Sequence, residues 1–279
     1  METNVSQSQG GNIGQFTTVD RAKYPRWFIE FMDIANALPE YDKINRSLAA
    51  GLGDMSGKRV LDLGSGTGDD ARQLVGLLPG VHEIIGVDLS DTMVKEARRR
   101  AESADLPLSF VQGDGRRLEY PDGHFDAARA KLVLMHCEDI DATLDDLVRV
   151  VCPDGRIAIF DYDFDTMIID HPNVPVTREV VKRFSDGHRN KWSGRQLFAR
   201  FNSRGMSNIS VEPVTVVMPF PFFENMVSGR LSAARADEGG NAMTEDDERL
   251  WWEALRASAS KGLFFASFAG FVVAGSTPA

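Results

Sequence analysis

Residues 60–69 restrict the fold of this chain more than any other stretch. They read VLDLGSGTGD, an apolar run followed by Gly64, Gly66 and Gly68 at alternate positions. A run of that length and polarity suits a strand buried on both faces. Glycine placed directly after it lets the backbone turn into a helix and lets a ligand reach the main chain. Three alternating glycines exceed what a plain turn requires, so the segment reads as a ligand-binding loop. Two carboxylates follow at once, Asp69 and Asp70, in the first turn of the helix.

From Lys58 onward, short apolar runs alternate with longer amphipathic ones. RVLDLG, EIIGVDLS, LSFVQGD, FDAARAKLVL and RIAIFDYD read as strands, while DDARQLVGLLPG, DTMVKEARRRAESA and DATLDDLVRVVCPDG carry helical periodicity. This order implies an α/β domain whose parallel sheet is covered by helices and binds ligands at the carboxyl ends of its strands. The site then falls just after Leu63, Val87, Val111 and Ala130. Beyond Asp163 the rhythm breaks. GRQLFARFNSRG reads as a helix stopped by Gly205, SNISVEPVTVVMP alternates as a strand does, and GLFFASFAGFVVAG reads as a final buried strand. The expected organisation is a flexible tail over 1–19, an N-terminal helical cap over 20–57 and a ligand-binding core over 58–163. The rest of the core, 164–279, is interrupted by cap insertions at about 164–192 and 219–261. In the second insertion Thr244 to Asp247 forms a capping pattern, and Leu250, Trp251, Ala254 and Leu255 share a helical face.

Composition narrows the partners. The net charge of −10 weighs against nucleic acid, because phosphate binding relies on concentrated Lys and Arg. Arg98, Arg99 and Arg100 form the one basic cluster, at a helix end that favours cations without any ligand. Cys137 and Cys152 are too few for a disulfide framework and lack metal-site spacing, so no metal and a cytoplasmic location are expected. The opening METNVSQSQGGNIGQ lacks the basic start and apolar run of a signal peptide. The apolar run near the C-terminus is shorter than the ~20 residues a membrane span needs, so no span is expected.

In the dinucleotide-binding fingerprint the third glycine stands five positions after the first, where this chain has Asp69. A pyrophosphate would rest there on the helix N-terminus, and carboxylates at 69 and 70 would repel it. Glycine spacing and acidic turn together favour a ligand that lacks phosphate and carries positive charge. VLDLGSGTG, VDLSDTM, VQGDGRRL, FDAARAKLVLMHCED and VRVVCPDGRIAIFDYD, in that order, resemble the successive motifs of class I S-adenosylmethionine-dependent methyltransferases, in particular small-molecule enzymes with a UbiE-like or type 11 methyltransferase domain. The resemblance covers roughly residues 58–163 and more loosely the remainder. It implies an α/β fold with a Rossmann-like, doubly wound, mainly parallel seven-stranded sheet and helical cap insertions, and S-adenosyl-L-methionine as cofactor. It further implies that Asp62 helps position the methionine amino group, that Gly64, Ser65 and Gly66 pass close to the cofactor, and that Asp88 accepts the ribose hydroxyls. Leu89 and Met93 would lie against the adenine, Gly113, Asp114, Gly115 and Arg116 would fix it, and Ala130 and Lys131 would approach the sulfonium. Tyr24 of the N-terminal cap joins this cofactor set. Asp154 stands where the family often has glycine.

Methyl transfer from a sulfonium needs chiefly in-line orientation and exclusion of water, with proton handling set by the acceptor. His136 after the fourth strand, an imidazole that titrates near neutrality, and Asp163 at the end of the fifth are the candidate catalytic residues. Trp27, Trp192, Phe220, Phe222 and Phe223, with His188, are the candidate acceptor-binding residues. Packing of the caps onto the core accounts for the same rings equally well. The expected reaction is methylation of a small, fairly apolar or aromatic metabolite, in secondary metabolism or quinone-like chemistry, with a homodimer left open. Two other readings stand beside it. One is a non-methylating member that binds S-adenosylmethionine while its capped pocket binds or cyclises a small ligand; the other is an NAD(P)-dependent oxidoreductase, against which the glycine spacing argues.

Overall fold

The computed structural model of the protein describes residues 13–102, 105–237 and 243–279. Seven strands form one sheet: β1 (Arg59–Leu63), β2 (Glu83–Asp88), β3 (Leu108–Gln112), β4 (Phe125–Lys131), β5 (Val151–Ile169), β6 (Ser207–Val217) and β7 (Ala266–Ser276). Their order is β3-β2-β1-β4-β5-β7-β6. The first five run parallel to their neighbours, and β7 is antiparallel to both β5 and β6. The expected mainly parallel, doubly wound α/β sheet is therefore present. Its strand order reverses between β1 and β4, which opens a crevice at their carboxyl ends.

Both faces are covered, which is why the inner strands read as near-continuous apolar runs rather than alternating ones. On one face α2 (Pro39–Leu52) and α3 (Asp69–Leu77) press Ile44, Leu48 and Leu74 against Val60, Ile84 and Ala158. Beside them α4 (Asp91–Ala101) packs Val94 and Ala97 with Phe110. On the other face α5 (Ile140–Val150) and α7 (Ser193–Ser203) bring Leu144, Leu147, Leu197 and Phe201 onto Leu61, Ala128 and Ile159. A third group closes over the carboxyl ends of the strands: α1 (Pro25–Asn36), α6 (Val174–Asp186), α8 (Phe220–Asp237) and α9 (Glu245–Ser260). Here Trp251 donates its indole N–H to Thr177 at 3.0 Å, tying α9 to α6.

Four expectations need correction. Residues 1–12 of the expected tail lie outside the described residues, but residues 13–19 belong to a 3-10 segment, Ile13–Arg21, that is broken at Thr18 and buries Ile13 and Val19. Only α1 of the expected N-terminal cap is a cap; α2 is a layer of the core. The fifth strand does not stop at Asp163 but continues to Ile169, past a register shift against β7. In α9 the capping box of Thr244 and Asp247 is as expected, yet Leu250 is exposed and Trp252 takes its place in the buried face with Trp251 and Leu255. Asp154 has φ +60°, so the turn that commonly carries glycine keeps its left-handed backbone here with an aspartate, a residue that tolerates it. Among the described residues no helix is long and apolar enough to cross a membrane, and no three His, Cys, Asp or Glu side chains are grouped to hold a metal.

Candidate functional site

A cavity of about 700 Å³ lies at the carboxyl ends of β1 to β4 and runs beneath the 3-10 segment, α1 and α8. Its floor at the crevice is the glycine loop. Gly64 and Gly66 have φ of +70° and +51°, a region that other residues enter only with strain. A Cβ on Gly64 would overlap the side chain of Val133, and one on Gly66 the methyl end of Met32. Both neighbours line the cavity, so these glycines bring bare backbone to its surface.

Asp88 ends β2 beside that loop. The Gly66 N–H donates to its Oδ2 at 2.8 Å and the Ser90 N–H to its Oδ1 at 2.9 Å. A carboxylate oxygen accepts about two hydrogen bonds, so each still has room for one, which is what the paired hydroxyls of a ribose require. Desolvation raises the Asp88 pKa, and the Ser90 and Gly66 amides oppose it. Leu89, Met93, Gly113, Gly115 and Arg116 continue the wall. Asp114 lines it too, but its carboxylate already accepts from the Arg116 backbone N–H at 2.9 Å and from the guanidinium at 2.7 Å. Among the described residues this lining combines bare backbone, a diol acceptor and an apolar slot, and S-adenosylmethionine fits that donor set.

The acidic turn works differently from the expectation. Asp69 accepts from Thr67 at 2.8 Å and pairs with Arg72 and Arg100. Asp70 pairs with Lys131 at 2.6 Å and accepts from Asn45 at 2.8 Å. Cations of the fold therefore compensate both acids, and the loop's geometry, more than a net negative field, is what it offers a ligand. Asp62 is equally internal. It is 2% exposed, lies 3.2 Å from the Arg129 Nε, and is pushed up to about 6 by burial against the opposing pull of Arg129.

The far end of the cavity is aromatic. Phe31 stacks on Phe222 with ring centres 5.7 Å apart, and Phe164, Met226 and Met135 complete the walls. Phe16 from the 3-10 segment forms part of the roof; its ring lies 5.0 Å from that of Phe28 and 5.4 Å from that of His136. The segment is fixed by Asp20, whose carboxylate accepts from the Ser90 hydroxyl at 2.7 Å and from the Asp91 and Thr92 amides at 2.9 and 3.0 Å. It thereby caps α4. Partial burial opposes the effect, but these bonds bring the Asp20 pKa down to about 2.

Of the residues expected at the site, the cavity brings together Gly64, Gly66, Asp88, Leu89, Met93, Gly113, Asp114, Gly115, Arg116, Lys131, His136 and Phe222. The others lie elsewhere for identifiable reasons. Strand alternation turns Asp163 to the α7 side, where it pairs with Arg195, and turns Ala130 into the core under α5. Ser65 and Asp62 are buried beneath the loop. Tyr24 precedes α1 and is exposed, while Trp27 packs on Phe31 from behind at 5.3 Å. His188 stacks on the back of Phe164 at 3.7 Å, so it supports the wall without forming it. Trp192 is partly exposed and donates to Asp165 at 2.6 Å; Phe220 and Phe223 pack on Phe264 inside the cap.

Asp70, singled out in the acidic turn, lines the cavity, whereas sequence reasoning missed Phe16, Asp20, Met32, Tyr41, Tyr162, Phe164 and Arg189 as cavity residues. For two of them the signal was present. In FDYDFD the aromatic residues at 160, 162 and 164 alternate onto one face, opposite the acids that drew attention.

Comparison with known proteins bears on this geometry. Residues 60–155 match the family described as Methyltransferase domain. An uncharacterized 37.1 kDa protein in transposon TN4556 of Streptomyces fradiae is 34% identical over 78% of this chain and 62% of its own length. The demethylmenaquinone methyltransferase of Thermus thermophilus is 35% identical over 47% of this chain and 64% of its own. Among solved structures, YcgJ of Bacillus subtilis superposes with a TM-score of 0.60 at 19% identity, covering 85% of this chain and 99% of that one. The chain spans about three fifths of the length of the curated relatives it matches.

Proposed function

We propose that this chain, whose residues 60–155 match the Methyltransferase domain family, is an S-adenosylmethionine-dependent methyltransferase that transfers a methyl group to a small, fairly apolar or aromatic acceptor seated in the aromatic end of the cavity. The observation that carries this reading is continuity. One cavity joins the glycine loop and Asp88 to the walls of Phe31, Phe164 and Phe222 under a single roof.

When bound, S-adenosylmethionine supplies a methyl group on a sulfonium that an electron-rich atom can take directly. The residues of the chain do the rest. Gly64 and Gly66 admit the ligand to backbone contact, Asp88 holds its ribose hydroxyls, and Leu89 and Met93 flank its base. Phe31, Phe164 and Phe222 orient the acceptor, which converts a bimolecular encounter into a positioned one. Phe16 and Val19 close the roof and keep water out. His136, on the loop after β4, takes the proton when the acceptor is a hydroxyl or an activated carbon.

Calorimetry tests the cofactor half. Asp88→Ala is expected to weaken S-adenosylmethionine binding by at least about tenfold, since hydrogen bonds to a charged group contribute roughly 1.5–3 kcal/mol each; unchanged affinity would defeat the assignment. Transfer of a labelled methyl into cell extracts tests the reaction. Cofactor binding with no labelled product would favour the non-methylating alternative.

A further inference from the structure

We propose that Tyr41 and Tyr162 form an oxygen-recognition pair that selects acceptors bearing a hydroxyl or carbonyl oxygen on an otherwise apolar ring; the inference rests on the acceptor reading above and narrows it. The two hydroxyls are 2.9 Å apart, although their residues stand 121 positions apart on α2 and β5. Both residues line the cavity and both are buried, at 4% and 3% exposure.

Two phenols carry two hydrogens and share one bond between them. One hydrogen is therefore left over, and among the described residues no acceptor takes it. On the Tyr162 side the surroundings are apolar: its ring lies 5.2 Å from Phe160 and 4.1 Å from Phe268. A buried hydroxyl hydrogen without an acceptor is unfavourable, and two phenylalanines would pack there without that cost. A ligand oxygen removes the penalty by accepting the spare hydrogen.

The Tyr162 hydroxyl donates to that of Tyr41, so the hydrogen left for a ligand is the Tyr41 one. Burial raises the pKa of both, so both hydroxyls stay protonated. Lys131 lies over the Tyr41 ring with its ammonium 4.6 Å from the ring centre, and Asp70 and Asn45 hold that arrangement. The pair is thus an anchor for the acceptor and takes no part in proton transfer.

The test uses the full chain with S-adenosylhomocysteine bound, titrated at equilibrium with 2-naphthol and with 2-methylnaphthalene, which differ in the oxygen but little in size. The wild type is expected to bind 2-naphthol about 3- to 10-fold more tightly. Replacing both, Tyr41→Phe with Tyr162→Phe, removes every phenolic hydrogen at the pair and should erase that preference, with S-adenosylhomocysteine affinity as the control for folding. Tyr162→Phe alone keeps the Tyr41 hydrogen and should retain the preference, which supplies the readout should the double variant fold poorly; its loss there counts against Tyr41 as the donor. Equal binding of both probes to the wild type, or a preference that survives both substitutions, overturns the pair's role and leaves the acceptor reading standing. Failure of both probes to bind overturns both.

Discussion

The glycine loop shows how much a single backbone position can decide. Gly64 and Gly66 both occupy left-handed conformations, but what a side chain would meet differs: branched Val133 at one, the flexible end of Met32 at the other. Alanine at either position pays about 1–2 kcal/mol of backbone strain. At Gly66 the obstructing methyl can swing aside, whereas at Gly64 the obstructing group cannot. Gly64→Ala is therefore expected to lose cofactor binding by well over tenfold, and Gly66→Ala by clearly less; calorimetry on the two variants, with thermal unfolding as the control for folding, would show whether the order holds. Asp163 illustrates the opposite case. Its place at a strand end made it a candidate for catalysis, but the period of two along β5 sends Tyr162 and Phe164 to the cavity and Asp163 to Arg195.

Among the elements, the 3-10 segment Ile13–Arg21 departs furthest from expectation, since a polar N-terminus with little to bury reads as a tail. Ile13 and Val19 bury enough to seat it, and Asp20 gives it a fixed end by accepting from Ser90, Asp91 and Thr92 at the start of α4. With its pKa down at about 2, the carboxylate keeps its charge at neutral pH, and the contribution of these bonds is lost only as pH falls from about 4 through 2. Asp20→Ala should cost helix α4 about 1 kcal/mol of capping. It should also speed hydrogen exchange at the Asp91 and Thr92 amides and raise the dissociation rate of S-adenosylhomocysteine several-fold. Unaltered exchange at those two amides would mean the segment does not depend on this anchor.

For the whole molecule, stability should depend on pH through its buried acids. Asp161 is fully buried on β5, approached by the Met135 and Leu134 amides and the Ser193 hydroxyl without a well-aligned bond, and burial pushes it up to about 8. Between the ordinary carboxylate range and that value the folded chain holds a proton that the unfolded chain releases, so this residue's contribution declines as pH rises from about 4 through 8. Asp161→Asn, neutral throughout, should flatten that decline; melting curves from pH 5 to 8 that stay parallel for the two proteins would refute the assignment. The α/β order, the glycine loop and Asp88 were all legible in the sequence because each is local: strand and helix periods, positive φ and a strand-terminal acid are set by neighbours in the chain. The sequence by itself therefore determined the kind of domain and most of the residues that line the glycine-loop end of the cavity. Only the tertiary structure decided the far end of the cavity and its roof, where Tyr41 meets Tyr162, Asp70 meets Lys131 and Asp20 meets α4, because such encounters depend on how distant elements pack and no local period encodes them.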